Sequence, residues 1–546
     1  MSRLLAAILL LLALSLNGCR SRKPPPPPPT VQAATELAPA SAPERLLAEI
    51  AVLSPSSLWT QLQHAFGASL TAIAPTVDLL VCSAAGLDPA LGELLDMDSP
   101  AYGAVLENAG PLGFAIAVRV KDRTRLETVL AESGTWSDKE GLKTFKSRKT
   151  LPLELALAGS YLVLASTPAD LEQASAFVVA TLARLPPPTG AVEARVPRAA
   201  LGTLWTLAVR EWSGVKTMLL EQDKRMRDSH GGRPPDFGDP AALLAGVDAF
   251  IQRRLTVLAD LDEARLRVEA NDARVTLDVT LKPRPQGPAF AFFAAMRPGD
   301  LSPLRGVSAD AAAVLVVRDD AAMRASDAAD MGDFLERGLG PRLAKGDLKK
   351  LRRSLDGWAA GRGDWLTTSL VLGEGKSLAF RTPSENDAAL SALRQGLELA
   401  ERPGFREPLK VLLSIQDQFR GTLGVPGLGG VDVVTFRRPK GRGKSWRVGW
   451  LKRQTEARVV LTEGGTESLR AGLAPPRTLE DDPSMKRLFG MTDVTFAFLV
   501  QPARLEPGQG ASEPAMLLHG RREGDGWIRV EVPTSALGRL ARGRGF

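Results

Sequence analysis

The chain has 546 residues, 44% of them hydrophobic and 24% charged, the balance of a folded globular protein long enough for several domains. A formal net charge of +7 is mild for this length and gives no ground for nucleic-acid binding, so no nucleic-acid partner is expected. Two cysteines are too few for a disulfide framework, and three histidines far apart in sequence offer little for metal binding or acid–base work, so no metal and no cofactor are expected.

The chain opens with Ser2 and Arg3, then an apolar run from Leu4 to Leu16 broken only by small residues and Ser15. That run is too short to stay in a bilayer as a permanent helix and is laid out as a secretory signal. It closes on Leu16-Asn17-Gly18-Cys19, which resembles the lipobox of bacterial prolipoproteins. The resemblance covers the first nineteen residues, and it departs from the family at Asn17, where a smaller or hydroxyl residue is more usual. It implies that residues 1–18 are a signal peptide, that the Cys19 thiol carries a diacylglycerol, and that the new amino group is acylated. Two or three chains on Cys19 anchor a protein stably where one holds only marginally. Arg20 follows in place of Asp, which by the same resemblance implies an extracytoplasmic address at the outer membrane.

Arg20, Arg22 and Lys23 lead into six consecutive prolines, Pro24–Pro29. Such a run adopts polyproline II at about 3.1 Å per residue, roughly 19 Å in all, and cannot join a core. With the Ala/Pro/Thr/Ser-rich stretch after it, residues 19–43 read as a stalk between lipid and body.

The body reads as one pattern used twice. Ile50–Leu53, then Ser54-Pro55 opening a helix, matches Ala313–Val317 followed by Asp319-Asp320 and a helix toward Leu335. Phe114–Val120 matches the hairpin from Leu366 to Arg381. Tyr161–Ser166 before Thr167-Pro168-Ala169-Asp170 matches Arg458–Thr462 before a helix to Leu473. Ala191–Val196 matches Val494–Val500, and the hairpin 264–281 matches 516–532. The expectation is an α+β fold of two related halves, 44–305 and 306–546, each a mainly antiparallel sheet with helices on one face. The first half carries an inserted helix pair over about 198–263. The body also loosely resembles an uncharacterised family of secreted or lipid-anchored bacterial proteins. Strands like Tyr161–Ser166 and a late segment like Leu479–Met485 carry that resemblance, and the family brings no activity with it.

Motifs for catalysis are scarce. There is no His-Glu-x-x-His and no Gly-x-Ser-x-Gly. Gly375-Lys376-Ser377 and Gly443-Lys444-Ser445 lack the glycine that a phosphate loop needs five residues earlier, where Leu370 and Arg438 stand, and they read as hairpin turns. Arg362-Gly363-Asp364 is a coincidence of sequence. Cys82 lies in an apolar run and reads as a small buried hydrophobe. The one stretch above background is Phe436–Arg453, where Arg437, Arg438, Lys440, Arg442, Lys444 and Arg447 stand without an acidic residue and are interleaved with Trp446 and Trp450. Charge plus stacking there suits an anionic lipid, lipopolysaccharide or wall polymer. The competing reading is a solvated hairpin whose tryptophans pack inward, because Trp446, Val448 and Trp450 share one strand face and Arg447 the other. The expectation is a lipid-anchored envelope protein acting as a binding or structural scaffold. The alternatives are a hydrolase with an unrecognised site or a carrier of lipid or lipoprotein, the last requiring a large apolar cavity.

Overall fold

The computed structural model describes residues 37–66, 73–108, 112–139, 141–229, 240–339, 343–373, 375–407, 416–438, 444–505 and 513–537. Its contacts separate two compact units. One comprises Met1–Leu204, Leu261–Lys282 and Arg529–Phe546, the other Trp205–Asp260 and Pro283–Ile528. These are not the contiguous halves 44–305 and 306–546. Most of the inserted helix pair belongs to the second unit, where Gly246 leaves room for the Phe334 ring. The C-terminal residues belong to the first, where Arg529 pairs with Asp278 at 2.6 Å and Arg274 with Glu531 at 3.4 Å.

In the first unit β1 (Leu46–Val52) leads to α1 (Pro55–Phe66), α2 (Val77–Ala85), β2 (Leu95–Asp96), β3 (Ala101–Leu106) and β4 (Gly113–Val120). After α3 (Arg123–Ala131) come the meander β5 (Gly134–Lys139), β6 (Leu142–Ser147), β7 (Glu154–Ala158) and β8 (Tyr161–Ala165), then α4 (Pro168–Ala180) and β9 (Val192–Pro197). Helices α5 (Arg198–Ser229) and α6 (Pro240–Ala259), which from Trp205 on belong to the second unit, precede in sequence β10 (Leu261–Ala270) and β11 (Arg274–Pro283). Nine of these strands form an open antiparallel sheet in the order β10-β9-β1-β3-β4-β8-β7-β6-β5, and the short β2 also pairs with β4.

Alternation along the central strands explains how that sheet is covered. Ala115 and Ala117 of β4, Ala156 and Ala158 of β7, and Val163 and Ala165 of β8 present a face of small side chains. Helix α4 lies on it through Leu171, Ala174, Phe177 and Val178. The alternate residues Ile116, Val118, Leu155, Leu157, Leu162 and Leu164 form the opposite face. That face packs against Leu58, Trp59 and Leu62 of α1, Val81 and Cys82 of α2, and Leu126 and Leu130 of α3. The sequence pattern put helices on one face; in the structure they cover both, because the central strands are apolar on both. Each fully buried Leu here contributes roughly 1.5–3 kcal/mol.

The second unit runs α7 (Pro288–Ala295), β12 (Ala313–Arg318), α8 (Ala321–Leu339), α9 (Lys345–Gly361), β13 (Trp365–Val371), β14 (Ser377–Pro383) and α10 (Ala388–Leu399). There follow β15 (Asp417–Val425), β16 (Gly429–Arg437), β17 (Trp446–Arg453), β18 (Glu456–Thr462), α11 (Thr466–Leu473), β19 (Val494–Val500) and β20 (Ala515–Arg522), then β21 (Asp525–Pro533), which from Arg529 on belongs to the first unit. Its open antiparallel order is β20-β19-β12-β13-β14-β18-β17-β16-β15. Strand for strand this is the order of the first unit. Helices leave the sheet at the same places, after the first strand (α1 and α2; α8 and α9), after β4 or β14 (α3; α10), and after β8 or β18 (α4; α11).

Candidate anion-binding surface

The basic stretch is the end of the β16–β17 hairpin. The register sets Phe436 opposite Trp446, Val434 opposite Val448 and Asp432 opposite Trp450. Trp446, Val448 and Trp450 therefore share a face, and they pack there with Val434 and Phe436 against Leu390, Leu393 and Leu397 of α10. Trp450 is only 6% exposed. On the other face Gly449 lets α11 approach so closely that an added Cβ would sit 2.8 Å from Leu469. The tryptophans are core, not an open stacking platform.

The arginines divide in the same way. Arg438 pairs with Glu463 at 2.7 Å, and its guanidinium lies 5.5 Å from the Trp446 ring centroid. Arg447 donates from Nη1 to the Gly464 carbonyl. Arg438 thus meets a counter-charge within the chain, and Arg447 a backbone carbonyl. Arg437 is exposed, with its guanidinium 4.7 Å over the Phe419 ring, and Lys444 is exposed. Lys440 and Arg442, like Cys19, where lipid attachment is expected, lie outside the described residues. Of the expected cluster, the structure brings Arg437 and Lys444 to the surface and turns Arg438 and Arg447 inward. The smaller basic helix, α9, is partly neutralised too, with Arg352 held by Asp333 at 2.7 Å and by Glu336.

A cavity of about 180 Å³ lies beside Arg437, lined by Phe419, Phe436, Gln416, Gln418, Glu401 and Arg406. Its wall carries charges of both signs, and Glu401 is already paired with Arg420 at 3.0 Å. An all-apolar cavity in the first unit, between Val81 of α2 and Ile116, Val118 and Leu164 of the sheet, measures about 30 Å³. Its volume is that of roughly two water-sized probes, too small for an acyl chain.

Three ion clusters that sequence spacing does not reveal are wholly or partly buried. Asp170, fully buried at the start of α4, accepts from Ser166 and Thr167 at 2.7 Å, from Asn108 at 3.2 Å and from Arg45 at 3.3 Å. Asp319, at the end of β12, is gripped by Arg362 through two nitrogens and approached by Arg324 at 3.4 Å. Arg381 of β14 holds both oxygens of Glu456, whose Oε2 also accepts from Arg458 at 2.7 Å. The residues just before β1 are engaged as well. Ala40 donates to Thr181 Oγ1 and accepts from it, at 3.1 and 2.8 Å, and Arg184 donates to the Leu37 carbonyl.

No family model matches this chain, and no curated protein matches it. Among solved structures it is similar to crystal forms III, I and IV of TP0453, at 8%, 9% and 12% identity. The alignments cover 49%, 48% and 47% of this chain and 89%, 84% and 98% of the other, with TM-scores of 0.22, 0.22 and 0.21. Scores of that size do not establish a common fold.

Proposed function

We propose that the chain is a lipid-anchored protein of the cell envelope, held at the outer membrane through Cys19, whose two units serve as a binding or structural scaffold. The observation that supports it most is the repeated nine-strand order, with the buried Asp170 and Asp319 and the half-buried Glu456 spent on arginines that brace each unit. Charges arranged in this way hold a platform in shape. The contacts of Leu37 with Arg184 and of Ala40 with Thr181, near the end of α4, support a stalk that ends against the first unit. On this reading the exposed Arg437 and Lys444 belong to the part of the surface suited to an anionic lipid, lipopolysaccharide or wall polymer.

The test is expression of the full chain with a labelled fatty acid, followed by fractionation and crosslinking in cells. The wild type should carry label, sediment with outer membranes and crosslink to an envelope component. Cys19→Ser should lose the label and remain unprocessed. A labelled Cys19→Ser variant, or a wild type found unlabelled outside the membrane fraction, would overturn the proposal.

A further inference from the structure

The common strand order allows one comparison that neither unit permits alone. β5 and β15 occupy the same terminal position in their sheets, each paired with one neighbour, β6 or β16, among the described residues. An edge strand presents unpaired N–H and C=O groups, and proteins ordinarily blunt such edges with short length and charge. β5 follows that rule, with six residues ending in Asp138 and Lys139. β15 does not. It runs nine residues, Asp-Gln-Phe-Arg-Gly-Thr-Leu-Gly-Val, in unbroken register with β16. Its charged Arg420 is drawn aside onto Glu398 and Glu401 of the neighbouring helical segment. Phe419 stands 45% exposed, and a Cβ placed on Gly421 or Gly424 would meet nothing within 4 Å.

We propose that β15 is an interface, and that its occupant is β15 of a second copy of this chain, paired antiparallel about Gly421. An isologous contact must be complementary to itself, and this strand is. With Gly421 on the dyad, Phe419 faces Leu423 of the other copy, Arg420 faces Thr422, Gln418 faces Gly424 and Asp417 faces Val425. All nine residues are used, the aromatic meets a branched aliphatic twice, and no like charges stand opposite each other. Glycine at the dyad lets the backbones approach without a side-chain collision.

Two measurements on the full chain in detergent decide it. The protein component should have the mass of a dimer. Gly421→Cys should form an interchain disulfide on mild oxidation, because residues directly opposite in an antiparallel pair have Cα atoms about 4.5–5.5 Å apart, within disulfide reach. Gly424→Cys is equally unobstructed but faces Gln418, so it should crosslink at least tenfold less, near the level of the wild type. A monomer in which neither variant links would overturn the proposal and leave the edge to an extended peptide of another protein. A dimer in which both variants link equally, or neither does, would overturn it by placing the contact elsewhere.

Discussion

Arg381 of β14 and Glu456 of β18 face each other through two hydrogen bonds, at 2.8 and 2.9 Å, with the Arg381 side chain 9% exposed. The pair clamps two strands that are central to the second sheet and 75 residues apart in the chain. Gly306 is part of the arrangement, because a Cβ there would lie 2.3 Å from the Arg381 guanidinium. Burial works against the charge on Glu456, but Arg381 and Arg458 outweigh it and hold the carboxyl below its ordinary 4.5.

A depressed carboxyl contributes stability that is complete above its unfolded value and is lost as pH falls through the folded one. The melting temperature should therefore drop between pH 5 and pH 3. Glu456→Gln should cost about 3 kcal/mol at pH 7, since it leaves a buried arginine without its counter-charge. It should also flatten the acid limb of the curve. Thermal melts of both proteins across that range check the prediction, and an unchanged acid limb in the variant would contradict it.

Asp170 gives a second test. Asp170→Ala removes at once the buried acceptor shared by Ser166, Thr167, Asn108 and Arg45, and a loss of roughly 3 kcal/mol is expected. Thr167→Ala removes the helix cap, whose Oγ1 accepts from the Asp170 amide at 3.1 Å, and should cost only about 1 kcal/mol. Urea denaturation of the two variants should rank them in that order.

Cys82 gives a third. Burial, with Asp78 and Asp88 adding to it, pushes the thiol up to about 11. Alkylation by iodoacetamide at pH 8 should be slow in the folded chain and rapid in urea. The raised value also contributes stability that is present below the thiol's unfolded pKa and is lost as pH rises toward 11. Rapid native labelling would show that α2 opens from the sheet.

The basic hairpin gives a fourth. If Arg437 and Lys444 meet anions, replacing both with Ser should weaken binding of the full chain to anionic vesicles severalfold at low salt, and the difference should vanish as salt rises. Arg438→Ser breaks the pair with Glu463 and should act on stability instead. Binding that ignores both the substitutions and the salt would leave this face as ordinary surface.

Much of this was legible in the sequence because of period. Apolar runs at Phe114–Val120 and Tyr161–Ser166 mark strands that the structure places at β4 and β8, and Ser54-Pro55 and Thr167-Pro168 mark helix starts that it places at α1 and α4. Parity alone put Trp446 and Trp450 on one side of β17. The meander β5–β6 was not legible, because Gly134–Lys139 and Leu142–Ser147 are polar strands with few buried side chains to set a period. The ion clusters were hidden for a different reason. Arg45 and Asp170 are separated by 125 residues, and only the fold brings them to 3.3 Å. Sequence also presented Arg438 and Arg447 as part of one positive patch, when Glu463 and the Gly464 carbonyl, beyond β18, take both inward.

The repeated strand order is tested most directly by paired cysteines in strands that adjoin in space but not in sequence. In a Cys19→Ser, Cys82→Ala background, Ile50→Cys with Ala194→Cys joins β1 to β9, and Leu315→Cys with Phe498→Cys joins β12 to β19, each pair directly opposite in register. Both pairs should form intrachain disulfides in the folded protein, detected by peptide mapping under non-reducing conditions. A disulfide in one unit and none in the other would mean that the two sheets do not share their order.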